Sequence, residues 1–172
     1  MTQTPTIPVV ETERLLLRGP LPSDLPAMTA FFVSDRMAYI GGPITEAETI
    51  EVFEGTLKGW ATRGYSRWEI QLRETGEVIG RCGISHPFGY PEPELGWVLY
   101  EGFEGQGYAR EAAVAALAYG RSTLGLKGIV SLIHPENERS KHLATKLGAR
   151  FEKMGEIVGI TVEIWCYPEV AA

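Results

Sequence analysis

The chain has 172 residues, 44% of them hydrophobic, and a formal net charge of −6. That length suits one domain with a substantial core rather than two. The acidic balance, without any basic run, excludes nucleic acid or an anionic membrane surface as the main partner, while leaving room for a local basic pocket. No apolar run approaches the ~18 residues of a membrane span, and Met1-Thr-Gln-Thr-Pro-Thr lacks the charged-then-apolar form of a secretory signal, so a cytoplasmic location is expected.

Residues 12–18 contain Leu15-Leu16-Leu17 and are predicted as a first strand, stopped by Pro20 and Pro22. Ser23 is the expected N-cap of a helix with Leu25, Met28 and Phe32 on one face, Pro26 being tolerated in its first turn. After Gly41-Gly42-Pro43, Thr45 and Glu48 stand at capping-box spacing and Phe53, Leu57 and Trp60 share a face, which predicts a second helix over about 45–62. Trp68, Ile70 and Leu72 alternate with Arg67, Glu69, Gln71 and Arg73, so Glu69 is expected to point outward. Glu74-Thr75-Gly76 then turns the chain into residues 78–84 of an antiparallel hairpin.

A Pro/Gly-rich loop from His86 to Pro93 leads to a strand at 94–100. From Gly107 to about Leu124, small and apolar residues recur at helical spacing, and 129–133 reads as a short buried strand reached by a crossover. Asn137 or Glu136 caps a further helix that carries Leu143, Ala144 and Leu147 and ends at Gly148. Strands at about 150–155 and 160–167 close the chain. The order β-α-α-β-β-β-α-β-α-β-β fits an α/β domain over residues 11–168, with a mixed, mostly antiparallel central sheet flanked by helices and tails at 1–10 and 169–172.

The segment Glu101-Gly-Phe-Glu-Gly105-Gln-Gly107-Tyr-Ala-Arg-Glu-Ala112 carries the most chemistry, because a close glycine pair joins a strand to an Ala-rich helix. Glycines let the backbone approach an anion, and a helix start adds unpaired N–H groups and a positive dipole end. Two other phosphate loops fail on spacing. There is no G-x-x-x-x-G-K-[ST], and a G-x-G-x-x-G beginning at Gly105 meets Arg110 where its third glycine belongs. Cys82 and Cys166 lie in apolar strand-like segments without C-x-x-C spacing and are expected to be buried small hydrophobes. His86, His134 and His142 share no metal-ligand spacing, so no metal is expected.

The order of elements, with the glycine loop between the fourth strand and the third helix, resembles the GNAT family of N-acetyltransferases over roughly residues 11–168. Gly105 and Gly107 fill the glycine positions of that family's Q/R-x-x-G-x-G/A loop. Asn137-Glu-Arg-Ser140 through Lys146-Leu-Gly148 is similar to its N-x-x-[AS]…K-L-G segment. Thr12-Glu-Arg-Leu-Leu-Leu-Arg18, Pro93-Glu94-Leu-Gly-Trp97, and Ser140 three residues after Asn137 are similar to the RimJ/RimL-like branch. Two departures stand out: Gly102 where the loop has Gln or Arg, and Ala144 where many relatives carry a proton-donating tyrosine. Glu101 and Glu104 also place negative charge beside the expected diphosphate, tolerable if they point to solvent or if Arg110 compensates.

The resemblance implies a GNAT-type acyl-CoA N-acyltransferase fold with acetyl-CoA as co-substrate and no metal. It implies that Trp97, Val98 and Leu99 pair with the pantetheine amides, a backbone N–H near Leu99 polarising the thioester carbonyl. Gly105, Gln106, Gly107, Tyr108, Ala109 and Arg110 then hold the diphosphate. Asn137 is expected to bond the pantetheine arm or only to cap its helix, and Ser140 to lie near the sulfur. Glu94 is the first choice for a general base or a structural charge partner, with Glu69 and His86 behind it. Tyr39, Trp60, Tyr65, Trp68 and Tyr90 are assigned to an acceptor cleft or to the core, and Lys141 and Lys146 to the nucleotide phosphate or to a solvated face.

The expected activity is acetyl transfer to a primary amine of a small molecule or peptide N-terminus by direct attack. The alternative is a catalytically inactive acyl-CoA-binding sensor. A monomer or homodimer is expected, the last strand with Ile164 and Trp165 being available to another subunit.

Overall fold

The computed structural model describes residues 6–87 and 89–169. Phe88 of the predicted 86–93 loop, and residues 1–5 and 170–172 of the tails, lie outside the described residues. The first strand is broken in two, β1 (Val10–Glu11) and β2 (Leu15–Arg18). The reason is local: the Leu15 N–H donates to Thr12 Oγ1 at 3.0 Å, closing a turn where an unbroken strand is predicted over 12–18.

Ser23 is exposed and is not the cap of α1 (Leu25–Phe32), because a 3-10 turn at Pro22–Asp24 precedes it and Asp24 takes that position. The buried Asp24 carboxylate accepts the Leu21 N–H at 2.7 Å and both terminal nitrogens of Arg18 at 2.7 and 2.8 Å. In α2 (Glu46–Arg63) the reciprocal capping box forms as expected, Thr45 N–H to Glu48 Oε2 at 2.7 Å and Glu48 N–H to Thr45 Oγ1 at 3.2 Å.

The remaining elements are β3 (Arg67–Leu72), β4 (Val78–Ser85), β5 (Glu94–Leu99), α3 (Tyr108–Ser122), β6 (Val130–Ile133), α4 (Glu138–Lys146), β7 (Arg150–Ile157) and β8 (Ile160–Cys166). Eight strands make one sheet in the order β1-β2-β3-β4-β5-β6-β8-β7, antiparallel except where β5 meets β6. The last strand is therefore internal, hydrogen-bonded to β6 on one side and β7 on the other, and cannot offer itself to another subunit.

Both faces of the sheet are covered, which overturns the outward placement of Glu69. Leu15, Leu17, Trp68, Ile70 and Cys82 share one core with Ala112, Ala113 and Ala116 of α3, while Met28, Phe31, Phe32 and Phe53 of α1 and α2 build a second core that includes Tyr100. Alternation then separates two buried faces rather than core from solvent. Glu69 is 0% exposed, accepts Arg81 Nε at 2.6 Å and the Tyr100 hydroxyl at 3.3 Å, and Arg81 also donates to Thr56 Oγ1 at 2.8 Å. Burial drives the Glu69 pKa upward, opposed by the Arg81 guanidinium.

Cys82 is buried, and burial pushes its thiol up to about 12. Cys166 departs from expectation. It is half-buried beside the edge strand, and its thiol donates to Glu152 Oε2 at 3.0 Å. Burial and then Glu152 raise it to about 11.

Candidate functional site

β5 and β6 run parallel but pair only at Glu94 opposite Val130. Beyond that point Ser131 Oγ donates to the Leu95 carbonyl at 2.6 Å, so a side chain takes the place of the next ladder bond. The single Ser131 proton is thereby used, and the buried Tyr167 hydroxyl, 2.8 Å away, donates to Ser131 Oγ. The sheet parts from there toward α3 and α4.

Strand alternation decides which groups face the gap. Pro93 and Leu95 turn their carbonyls toward β6, while Tyr100 N–H bonds Ile79 of β4. Trp97 and Leu99 therefore present main-chain groups to the cleft, and Val98 directs its own to β4 and contributes a side chain. Among the described residues, only the Leu99 carbonyl of that pair is engaged from outside the sheet, by Arg36 Nη2 at 3.0 Å.

The gap is the inner part of a cavity of about 920 Å³. It receives Glu94, Trp97, Val98, Leu99, Gly105, Gly107, Ala109, Arg110, Asn137 and Ser140 together, from segments far apart in the chain. Gly105 and Gly107 have φ of 76° and 83°, left-handed conformations that glycine adopts without strain, and Gly107 caps α3. The loop thus ends at a helix N-terminus facing the cavity, a suitable cradle for an anion.

Gln106 and Tyr108 are not brought to the cavity. The Gln106 carbonyl accepts Arg14 Nη1 at 2.9 Å, and Tyr108 packs against the core beneath the Arg14 guanidinium, 4.4 Å from its ring centre. Glu104 lines the cavity, but it is held by the Arg36 guanidinium and by the Gly102 N–H at 3.0 Å. Arg36, not Arg110, offsets that carboxylate.

Asn137 caps α4, its Oδ1 accepting the Ser140 N–H at 3.2 Å, which leaves its amide nitrogen free of protein partners among the described residues. Ala144 is fully buried and supplies no proton. Glu94 is 8% exposed and Arg67 Nη2 donates to its Oε2 at 2.7 Å. Gly96 permits this: a Cβ there would collide with the Arg67 guanidinium, which lies flat across the strand.

Among the weaker candidates, His86 lines the cavity with its Nδ1 3.3 Å from the Tyr65 hydroxyl, and Glu69 is sealed behind Arg81. Tyr39 lines the cavity and stacks on His134 at 5.2 Å, while Trp60 and Trp68 are core and Tyr90 packs beside Val130. Lys146 reaches the cavity. Lys141 is turned away to Glu138 at 2.7 Å and Glu163 at 3.6 Å.

Sequence reasoning missed Arg36, Arg63, Arg67 and Arg139, all of which line the cavity. Arg139, His142, Leu143 and Lys146 stand at helical i, i+3, i+4, i+7 spacing, a readable signal that one face of α4 turns to the site. The described residues hold no group of three or more His, Cys, Asp or Glu able to bind a metal, and no helix long and apolar enough to cross a membrane.

The parted mixed sheet, with a glycine cradle and helix start at its open end, defines a GNAT-type fold. Residues 14–150 match the acetyltransferase (GNAT) domain, and the chain belongs to that family. The crystal structure of an acetyltransferase from Agrobacterium tumefaciens has a TM-score of 0.88 at 39% identity, covering 95% of this chain and 96% of that one. The uncharacterized N-acetyltransferase YoaA of Bacillus subtilis is 32% identical over 155 residues, 86% of this chain and 85% of that protein. RimL, a ribosomal-protein acetyltransferase solved in complex with coenzyme A, has a TM-score of 0.74 at 19% identity, covering 92% of this chain and 97% of that one, a likeness of fold alone.

Proposed function

We propose that the protein transfers the acetyl group of acetyl-CoA to a primary amine by direct attack within the parted strands. The observation that carries this reading is the cleft itself. The main-chain groups of Trp97 and the N–H of Leu99 line a cavity that ends at the Gly105–Gly107 cradle, with Arg110, Arg139 and Lys146 among its walls. Those features fit a diphosphate followed by an amide-bearing arm. Acetyl-CoA supplies the thioester; the chain orients it, polarises it and moves protons.

In this reading the N–H groups of Gly107 and Ala109 face the diphosphate, and Arg110 adds charge. The Leu99 N–H and the Asn137 amide hold the pantetheine arm. The Trp97 N–H, nearer the closed end than the Leu99 position that the resemblance implies, faces the carbonyl oxygen where negative charge develops. Glu94 holds one oxygen on Arg67 and leaves Oε1 for the incoming amine or an intervening water, a geometry suited to a general base. Ser140 lies on the cavity wall and donates toward the departing sulfur. The RimJ/RimL-like branch and a cytoplasmic setting are part of the same proposal.

Thiol release from acetyl-CoA, measured across a panel of amines and short peptides with mass detection of the product, tests the proposal. Acceptor-dependent thiol release with an added acetyl mass is expected. Tight coenzyme binding without any acceptor-dependent release contradicts it. If Glu94 is the base, Glu94→Gln flattens the rise of kcat/KM with pH; a wild-type profile in that variant removes Glu94 from the role.

A further inference from the structure

The chain is acidic, yet the cavity is cationic. Seven Arg and Lys residues line it against three carboxylates, Asp35, Glu94 and Glu104. The acceptor therefore meets positive charge, contrary to what the net charge of −6 suggests.

Most of the cations are accounted for. Arg110, Arg139 and Lys146 belong to the first turn of α3 and to α4, where the diphosphate is proposed to sit. Arg36 is held by Glu104, and Arg81 by Glu69. Two remain beside Glu94: Arg67, whose guanidinium lies over Gly96, and Arg63 at the end of α2. Arg67 spends only Nη2 on Glu94, and no hydrogen bond engages its Nη1 or Nε among the described residues. Arg63, in the last turn of α2 four residues ahead of Arg67, has no ion pair or side-chain hydrogen bond among the described residues. Between them Ser66 is a buried hydroxyl on the cavity wall.

A guanidinium fork with open N–H groups, a second, exposed guanidinium and a hydroxyl line one cavity and offer donors to an acceptor atom. A planar carboxylate suits it, because a guanidinium binds both of its oxygens through parallel hydrogen bonds. The Arg67 pairing with Glu94 fixes how close that carboxylate lies to the reacting amine.

We infer that the acceptor is a small amino-carboxylate, its amine placed at Glu94 and its carboxylate bound by Arg63 and Arg67. This rests on the acetyl-transfer reading of the cleft. A bare amine or a long peptide N-terminus fills the first position and leaves the second empty.

The experiment compares free amino acids with their carboxamides as acceptors, and measures binding of the matching N-acetyl amino acids by calorimetry. For the best acceptor, kcat/KM for the acid exceeds that for the amide by at least about tenfold, the discrimination expected of one charge-assisted pair. In Arg63→Gln, with its melting temperature checked against wild type, that ratio falls below about twofold and the N-acetyl amino acid loses affinity by a similar factor. Equal use of acid and amide by the wild type overturns the inference and leaves acetyl transfer standing. An unchanged ratio in Arg63→Gln also overturns it. Arg63-dependent binding of N-acetyl amino acids without any turnover upholds the carboxylate site and defeats the transfer reading.

Discussion

Arg14 and Glu111 lie 97 residues apart in the chain and 2.7 Å apart in the fold. Glu111 Oε1 also accepts the Thr12 hydroxyl at 2.6 Å and the Arg14 N–H at 2.8 Å, and Arg14 extends past it to the Gln106 carbonyl and the face of Tyr108. The turn between β1 and β2 thus clamps the glycine loop from its outer side. Thr12-Glu-Arg14, which the sequence offers only as a resemblance, has a physical task, and so do Gln106 and Tyr108. They fix the loop without lining the cavity.

Arg14→Ala removes that clamp. Its expected effect is coenzyme A binding weakened by roughly tenfold, since the loop must then be ordered by the ligand. Isothermal titration measures it, and wild-type affinity in the variant rules the clamp out.

Acid stability follows from the same contact. Burial raises the Glu111 pKa, but the hydrogen bonds from Thr12 and Arg14 outweigh it and hold the group below its ordinary value of 4.5. The unfolded chain then binds the extra proton more readily, so the stabilisation is present above 4.5 and is lost as pH falls through the lower folded value. Glu111→Gln should lower the melting temperature at neutral pH and shrink the further drop on acidification. Parallel wild-type and variant curves contradict this.

Gly107→Ala places a side chain at φ 83°, 3.4 Å from the Arg14 guanidinium. Left-handed strain of about 1–2 kcal/mol is expected. Gly105→Ala, at φ 76° with open space around it, carries the strain without the contact. Both should raise the Kd for coenzyme A, Gly107→Ala more, and denaturant melts report the stability change. Equal affinities across wild type and both variants would remove the loop from the binding site.

Asn137 and Ser140 separate by readout. Asn137→Ala deletes a helix cap and should cost about 1 kcal/mol of stability together with coenzyme affinity. Ser140→Ala retains the N–H that Asn137 accepts, so its melting temperature should match wild type while kcat falls. A Ser140 variant with wild-type kcat shows that its hydroxyl takes no part in turnover.

The buried Glu69 and Arg81 should behave as a unit. Removing either alone leaves an uncompensated charge, about 3–5 kcal/mol of destabilisation, whereas a paired apolar replacement costs much less. Chemical denaturation of Glu69→Leu, Arg81→Met and the double variant gives the coupling directly, and additive losses contradict it.

Where each function depends on neighbours in sequence, the chain is legible. The α2 capping box, the β3–β4 hairpin and the glycine loop with its helix follow from spacing alone, as does the Gly148 stop, while the α4 cap is narrowed to Asn137 or Glu136 and falls on Asn137. Glu69 is misread because alternation looks the same whether the second face meets water or a helix pair; only tertiary cover distinguishes them. Arg36, Arg63 and Arg67 carry no local signal, since their roles arise where the segment after α1, the end of α2 and the start of β3 line one cavity. Glu104 is misjudged for the same reason, its neutralising partner lying 68 residues away.

In the proposed reading, the chain's parted strands and glycine cradle hold the acyl donor. A crystal grown with coenzyme A tests it most directly. Diphosphate density is expected against Gly105, Gly107 and Ala109, with an extended arm running between β5 and β6 toward Glu94. Density for the coenzyme anywhere else, with that cradle filled only by water, contradicts it.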